Sequence, residues 1–110
     1  MCYDKARRVI YYALENGKEP FREWVKKLNI REQDIIMTYV VRVRSGGAKR
    51  NIKNLGDGIF EIKIQYGPGF RIYFGNQGRN IILLLLGGDK GSQKRDISLA
   101  KKYWRNYVSN

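Results

Sequence analysis

The apolar patterning of this 110-residue chain predicts an α+β fold. The expected architecture is a mainly antiparallel four-stranded sheet, with two helices from the N-terminal half packed on it and one C-terminal helix. Three observations predict it. Phe60, Ile62 and Ile64 alternate with Glu61, Lys63 and Gln65; after Gly67-Pro68-Gly69, Phe70, Ile72 and Phe74 alternate with Arg71 and Tyr73, the pattern of a two-faced hairpin. Two segments in the first half carry apolar residues at helical spacing. Ile81 to Leu86 is apolar without alternation, as suits a central strand covered on both faces.

In chain order, Arg7 to Leu14 is rich in β-branched and aromatic residues and reads as a strand, ended by Asn16-Gly17. Pro20 suits the first turn of a helix, where Phe21, Trp24, Val25 and Leu28 form one stripe that reads as core. Asn29 with Glu32 has capping-box spacing for a second helix, whose buried side is Ile35, Ile36, Tyr39, Val40 and Val43 and whose end is Ser45-Gly46-Gly47. A basic loop follows, with Lys49, Arg50 and Lys53 behind Arg42 and Arg44. After the hairpin, Gly75 to Gly78 reads as a turn, and Gly87-Gly88-Asp89-Lys90 ends the apolar strand. Ser92 is a plausible cap for the last helix, with Ile97, Ala100, Trp104, Tyr107 and Val108 on its apolar side.

The hairpin register follows from face matching. A two-residue loop would mix core with charge, because a one-residue slip turns every side chain over. A three-residue loop pairs Tyr66 with Phe70, sets Ile64 opposite Ile72 and Lys63 opposite Tyr73, and uses Gly69 for the positive φ such loops need. Lys63, Gln65, Arg71 and Tyr73 then share one polar surface. Cations gathered there are costly unless an anion visits.

Length allows a single domain spanning 1–110. Twenty-two Lys and Arg against 10 Asp and Glu give a net charge of +12, which favours polyanionic partners. No histidine is present, so acid–base work falls to Lys, Arg, Tyr or carboxylates, and a His-based metal site is excluded. One cysteine, Cys2, excludes an internal disulfide and fits a reducing cytoplasm. The start, MCYDKARR, lacks the apolar core of a signal peptide, and the longest apolar run is too short for a membrane span. Gly87-Gly88-Asp89-Lys90 is not a phosphate-binding P-loop, because GxxxxGK[ST] is absent.

Three blocks together carry a family resemblance: ENGKEPFREWVKKL at 15–28, NLGDGIFEIKIQYGPGFRIYF at 54–74 and LLLLGGDKGSQKRDISLAKKYW at 83–104. In combination they resemble the RelE/HigB superfamily of type II toxins, in its phage-related, addiction-module killer-protein branch. The resemblance implies a RelE-like fold and a toxin that acts as a metal-independent, ribosome-dependent endoribonuclease, or mRNA interferase. It implies a cognate helix-turn-helix antitoxin, the ribosome and mRNA as partners, and no small-molecule cofactor. Residue by residue, Lys63, Arg71 and Lys90 match the catalytic positions, and Asp96 matches the Asp of the Lys/Arg-Asp-Ile segment. Lys49, Arg50, Lys53, Tyr73, Lys94 and Arg95 are the expected RNA-binding side chains. Arg71 suits charge stabilisation on a phosphoryl group, Lys63 the role of base, and Lys90 the leaving oxygen or a neighbouring phosphate. The plain rival for Tyr73 is a cross-strand packing role, and for Glu61 local charge balance. The alternatives are a ParE-like non-enzymatic inhibitor of DNA gyrase and a non-catalytic RNA-binding module.

Overall fold

The computed structural model describes residues 7–78 and 80–109; the expectations on Cys2 and on the extreme N-terminus lie outside them. The elements are β1 (Arg8–Tyr11), α1 (Pro20–Lys26), α2 (Ile30–Arg44), β2 (Ile52–Gly56), β3 (Ile59–Ile64), β4 (Phe70–Gln77), β5 (Ile81–Asp89) and α3 (Gln93–Ser109). Short 3-10 turns, Lys49–Asn51 and Lys90–Ser92, precede β2 and α3. The class is α+β as expected, but the sheet has five strands in the order β1-β5-β4-β3-β2, with β1 parallel to β5 and the other pairs antiparallel. Expectation and structure therefore differ by one strand, β2, which lies within the stretch read as a basic loop. Its ladder to β3 is closed by Asp57-Gly58, both at positive φ, an Asp-Gly hairpin signal that the charges of Lys53 and its neighbours obscured.

Local chemistry explains the helix ends. Pro20 stands at the start of α1, where its missing N–H costs nothing. The box at α2 is complete: Asn29 Oδ1 accepts from the Glu32 N–H at 2.8 Å, and Glu32 Oε1 accepts from the Asn29 N–H at 3.0 Å. At α3 the expected cap is replaced. Asp89, not Ser92, caps the preceding 3-10 turn by accepting from the N–H groups of Gly91 and Ser92. A single carboxylate oxygen, Asp89 Oδ1, accepts from both donors.

Two cores sandwich the sheet. Against α1 and α2 lie Ile62, Ile64, Phe70, Ile72, Phe74, Ile82 and Leu84; Ile59, Tyr73, Leu83, Leu85 and Leu86 pack with Ala100 and Trp104 of α3 on the other face. The run beginning at Ile81 is indeed covered on both faces, as expected of it. Val108 is the exception to the predicted apolar side of α3, standing 56% exposed. Strands β4 and β5 both run past the glycines expected to end them. Gly75 and Gly87 lie flat in the sheet because the rings of Trp104 and Trp24 occupy the space where a Cβ would project.

The hairpin register is offset by two residues from the expected one. Ile64 pairs with Phe70, Lys63 with Arg71, and Glu61 with Tyr73. Tyr66 leaves the ladder: its carbonyl accepts from the Gly69 N–H at 3.0 Å, and its ring stacks on Phe70. A shift of two preserves every face, so the predicted sides stand while the predicted partners do not.

We predict that Gly75→Ala and Gly87→Ala each destabilise the fold. An added Cβ would lie 2.3 Å from a Trp104 ring atom in the first and 2.2 Å from a Trp24 ring atom in the second. Overpacking of this kind costs about 1–3 kcal/mol, readable by urea unfolding. Unchanged midpoints in both variants would show that the rings do not rest on these positions.

Candidate nucleic-acid interface at one end of the sheet

The ends of β3 and β5 and the starts of β2, β4 and α3 meet at one end of the sheet. Most of the cations singled out by sequence collect there. Lys63 is exposed on β3 with Arg71 as its direct partner on β4, and Arg71 is in turn paired with Gly88 on β5. Lys90 follows Asp89, which pairs with Phe70, and it stands beside the hairpin tip: a Cβ on Gly69 would be 3.8 Å from that of Lys90. Lys49 and Arg50 are exposed in the turn before β2, tied to this end by Asn51, whose Nδ2 donates to the Lys63 carbonyl at 3.0 Å. Lys53 is exposed one row lower, opposite Glu61, and Lys94 and Arg95 are exposed on the first turn of α3.

Beneath this cationic rim lies a buried polar cluster. Because Phe70, Ile72 and Phe74 face α1 and α2, period two turns Arg71 and Tyr73 toward α3. Arg71 is only 6% exposed, and its Nη1 stands 3.7 Å from Oε1 of Glu61, itself 2% exposed. Gln93 Nε2 donates to the other Glu61 oxygen at 3.0 Å. Gly88 leaves room for a second carboxylate: Asp96, 3% exposed, lies over it and accepts from Ser92 Oγ. The Nε of Arg71 and the hydroxyl of Tyr73 are buried without hydrogen-bond partners.

Tyr73 is the residue whose placement departs most from expectation. It is wholly buried beneath α3, paired with Glu61 rather than Lys63. No base can stack on it there, and the packing role fits it instead. Arg71 shares a face with Lys63 as expected, but that face is roofed by α3 rather than open. Gln93 carried no signal in the sequence, since a polar residue in a first helical turn is ordinary; Glu61 was legible only as a charge beside Lys63. Burial and then the Glu61 carboxylate push the Tyr73 hydroxyl well above the usual tyrosine pKa, with Asp96 adding to the effect and Arg71 opposing it.

The family described as "Phage derived protein Gp49-like (DUF891)" matches residues 23–105. An uncharacterised protein of Haemophilus influenzae is 42% identical over 82 residues, covering 74% of this chain and 82% of that relative. The family match spans the buried cluster and the whole basic rim. Among the described residues, no helix is long and apolar enough to cross a membrane.

The raised proton affinity of Tyr73 gives a signed pH prediction. Unfolded tyrosine ionises near pH 10, whereas native Tyr73 keeps its proton there, so unfolding releases a proton and stability falls as pH rises past about 10. Tyr73→Phe should flatten this alkaline loss, by at most about 1.4 kcal/mol per pH unit. Chemical denaturation between neutral and strongly alkaline pH measures it; identical alkaline slopes for both chains would refute the assignment.

Proposed function

We propose, because the chain belongs to the Gp49-like family of phage-derived proteins, that it is the toxin of a type II toxin–antitoxin module. In this reading it is a RelE/HigB-like, metal-independent endoribonuclease that cuts messenger RNA on the ribosome and is restrained by a helix-turn-helix antitoxin. The Gp49-like family is often related to toxin–antitoxin modules. The observation that carries the nuclease reading is the cross-strand pair Lys63–Arg71, with Lys90 two residues beyond Arg71's partner Gly88 and exposed cations around them.

The chemistry asks little of the protein beyond placement and charge. The RNA 2′-hydroxyl attacks the adjacent phosphorus, the bond to the 5′-oxygen breaks, and a cyclic phosphate and a 5′-hydroxyl result. Arg71, always charged and forked, stabilises the phosphoryl oxygens as negative charge builds. Lys63 handles the proton leaving the 2′-hydroxyl, and Lys90 steadies the departing oxygen or the next phosphate. Lys49, Arg50, Lys53, Lys94 and Arg95 hold the strand through its phosphates, a salt-sensitive attraction. Tyr73 supports Arg71 from below.

The burial of Arg71 favours a second reading, in which the same fold only binds, as an inhibitor of DNA gyrase or an RNA-binding module. Transcripts separate the two. Induced expression should arrest translation with cleaved mRNA; intact transcripts with DNA damage would favour gyrase, and intact transcripts without it a binding module.

We predict that Arg71→Lys and Lys63→Ala fold as the parent chain does and lose about 10²–10³-fold in cleavage, the range for removing one transition-state donor. Circular dichroism and mRNA cleavage on translating ribosomes are the measurements. Full toxicity in both folded variants would sink the mechanism.

A further inference from the structure

We infer that Glu61 is the positioning residue for Arg71 and that Gln93 holds Glu61 in that role, an inference that rests on the nuclease reading above. Glu61 lies one row from the Lys63–Arg71 pair on the same face of β3, buried under the start of α3. Its Oε1 is 3.7 Å from Arg71 Nη1, while its Oε2 accepts from Gln93 Nε2 at 3.0 Å. At 3.7 Å the opposite charges attract, but the separation exceeds a hydrogen bond. The guanidinium is thereby aimed without committing its donors to the carboxylate, and its Nε has no partner at all.

That separation is the point of the arrangement. A carboxylate gripping Arg71 through both oxygens would occupy the fork that a phosphate needs. Gln93 engages one carboxylate oxygen and keeps Glu61 from closing onto the fork. Charge balance alone would require neither Gln93 nor the gap. Gln93 is the first residue of α3, so the seating of that helix is relayed to Arg71 through a single carboxylate.

The test compares the full-length chain with Glu61→Gln and Gln93→Ala by two readouts. One is the proton NMR resonance of the Arg71 Nε–H, assigned by its loss in Arg71→Lys, which needs no activity. The other is kcat and KM for mRNA cleavage on translating ribosomes. Glu61→Gln should turn a slowly exchanging Nε–H into a broadened or fast-exchanging one and lower kcat by about 10–100-fold, with KM moving less than about twofold. Gln93→Ala, at a half-buried position, should give the same pattern at smaller amplitude. A loss confined to KM, or a parental resonance in folded Glu61→Gln, overturns the inference. Should Glu61→Gln fail to fold, Gln93→Ala decides, because it leaves every charge in place; a parental resonance and kcat there overturn the inference too. A parent chain that cuts no RNA refutes the nuclease reading instead, and the resonance alone then decides whether Glu61 orients Arg71.

Discussion

A guanidinium that is 6% exposed must have opposite charge close by, since an unpaired buried charge is among the most costly things a fold can contain. Much of one end of this protein is arranged around that requirement. Arg71 is turned toward α3 because its neighbours on β4, Phe70 and Ile72, belong to the other core. Being on an inner strand, it has partners on both sides, Lys63 on β3 and Gly88 on β5. Lys63 adds a second cation, and only the glycine leaves space above the strand. Glu61 supplies the opposite charge from the next row, while Asp96 fills the space over Gly88 and stands 3.7 Å from Arg95.

Close approach of the helices makes the arrangement possible. Trp24 lies on Gly87 and Trp104 on Gly75, so α1 and α3 are held against opposite faces of adjacent strands. The Trp104 ring is fixed further by its Nε1, which donates to the Asp57 carbonyl at 2.7 Å in the turn between β2 and β3. The other end of α3 is set by Asp89, which caps the turn leading into it, and by Asp96 over Gly88. With both ends anchored, the first turn of α3 has a defined place over Glu61 and Arg71. Rigid support of this kind is what a charge-stabilising site requires.

Local signals were legible and non-local ones were not. The Asn29–Glu32 box, Pro20 and the positive φ of Gly69 each depend on a few neighbouring residues, and each is where the sequence places it. The hairpin faces were legible because parity is a property of alternation. The register was not, since a shift of two residues satisfies alternation equally well and only the turn at Tyr66 distinguishes the two. The fifth strand was hidden because Lys53 and Asn54 give it little apolar character, although Asp57-Gly58 announced its turn. The gathering of Lys63, Arg71 and Lys90 was anticipated from the motif; the carboxylates and the amide beneath them were not.

From the chain alone one could know which residues share a face, where helices begin, and that the protein carries a large positive charge, because alternation, capping chemistry and net charge are written in neighbouring residues or in their sum. Whether a polar face meets solvent or another element is a different matter, settled only when a helix from beyond the hairpin and β5 packs over it. Here α3 covers the very side that alternation marked as polar. That packing buries Tyr73, draws Glu61 and Gln93 together, and leaves Lys63 at the rim.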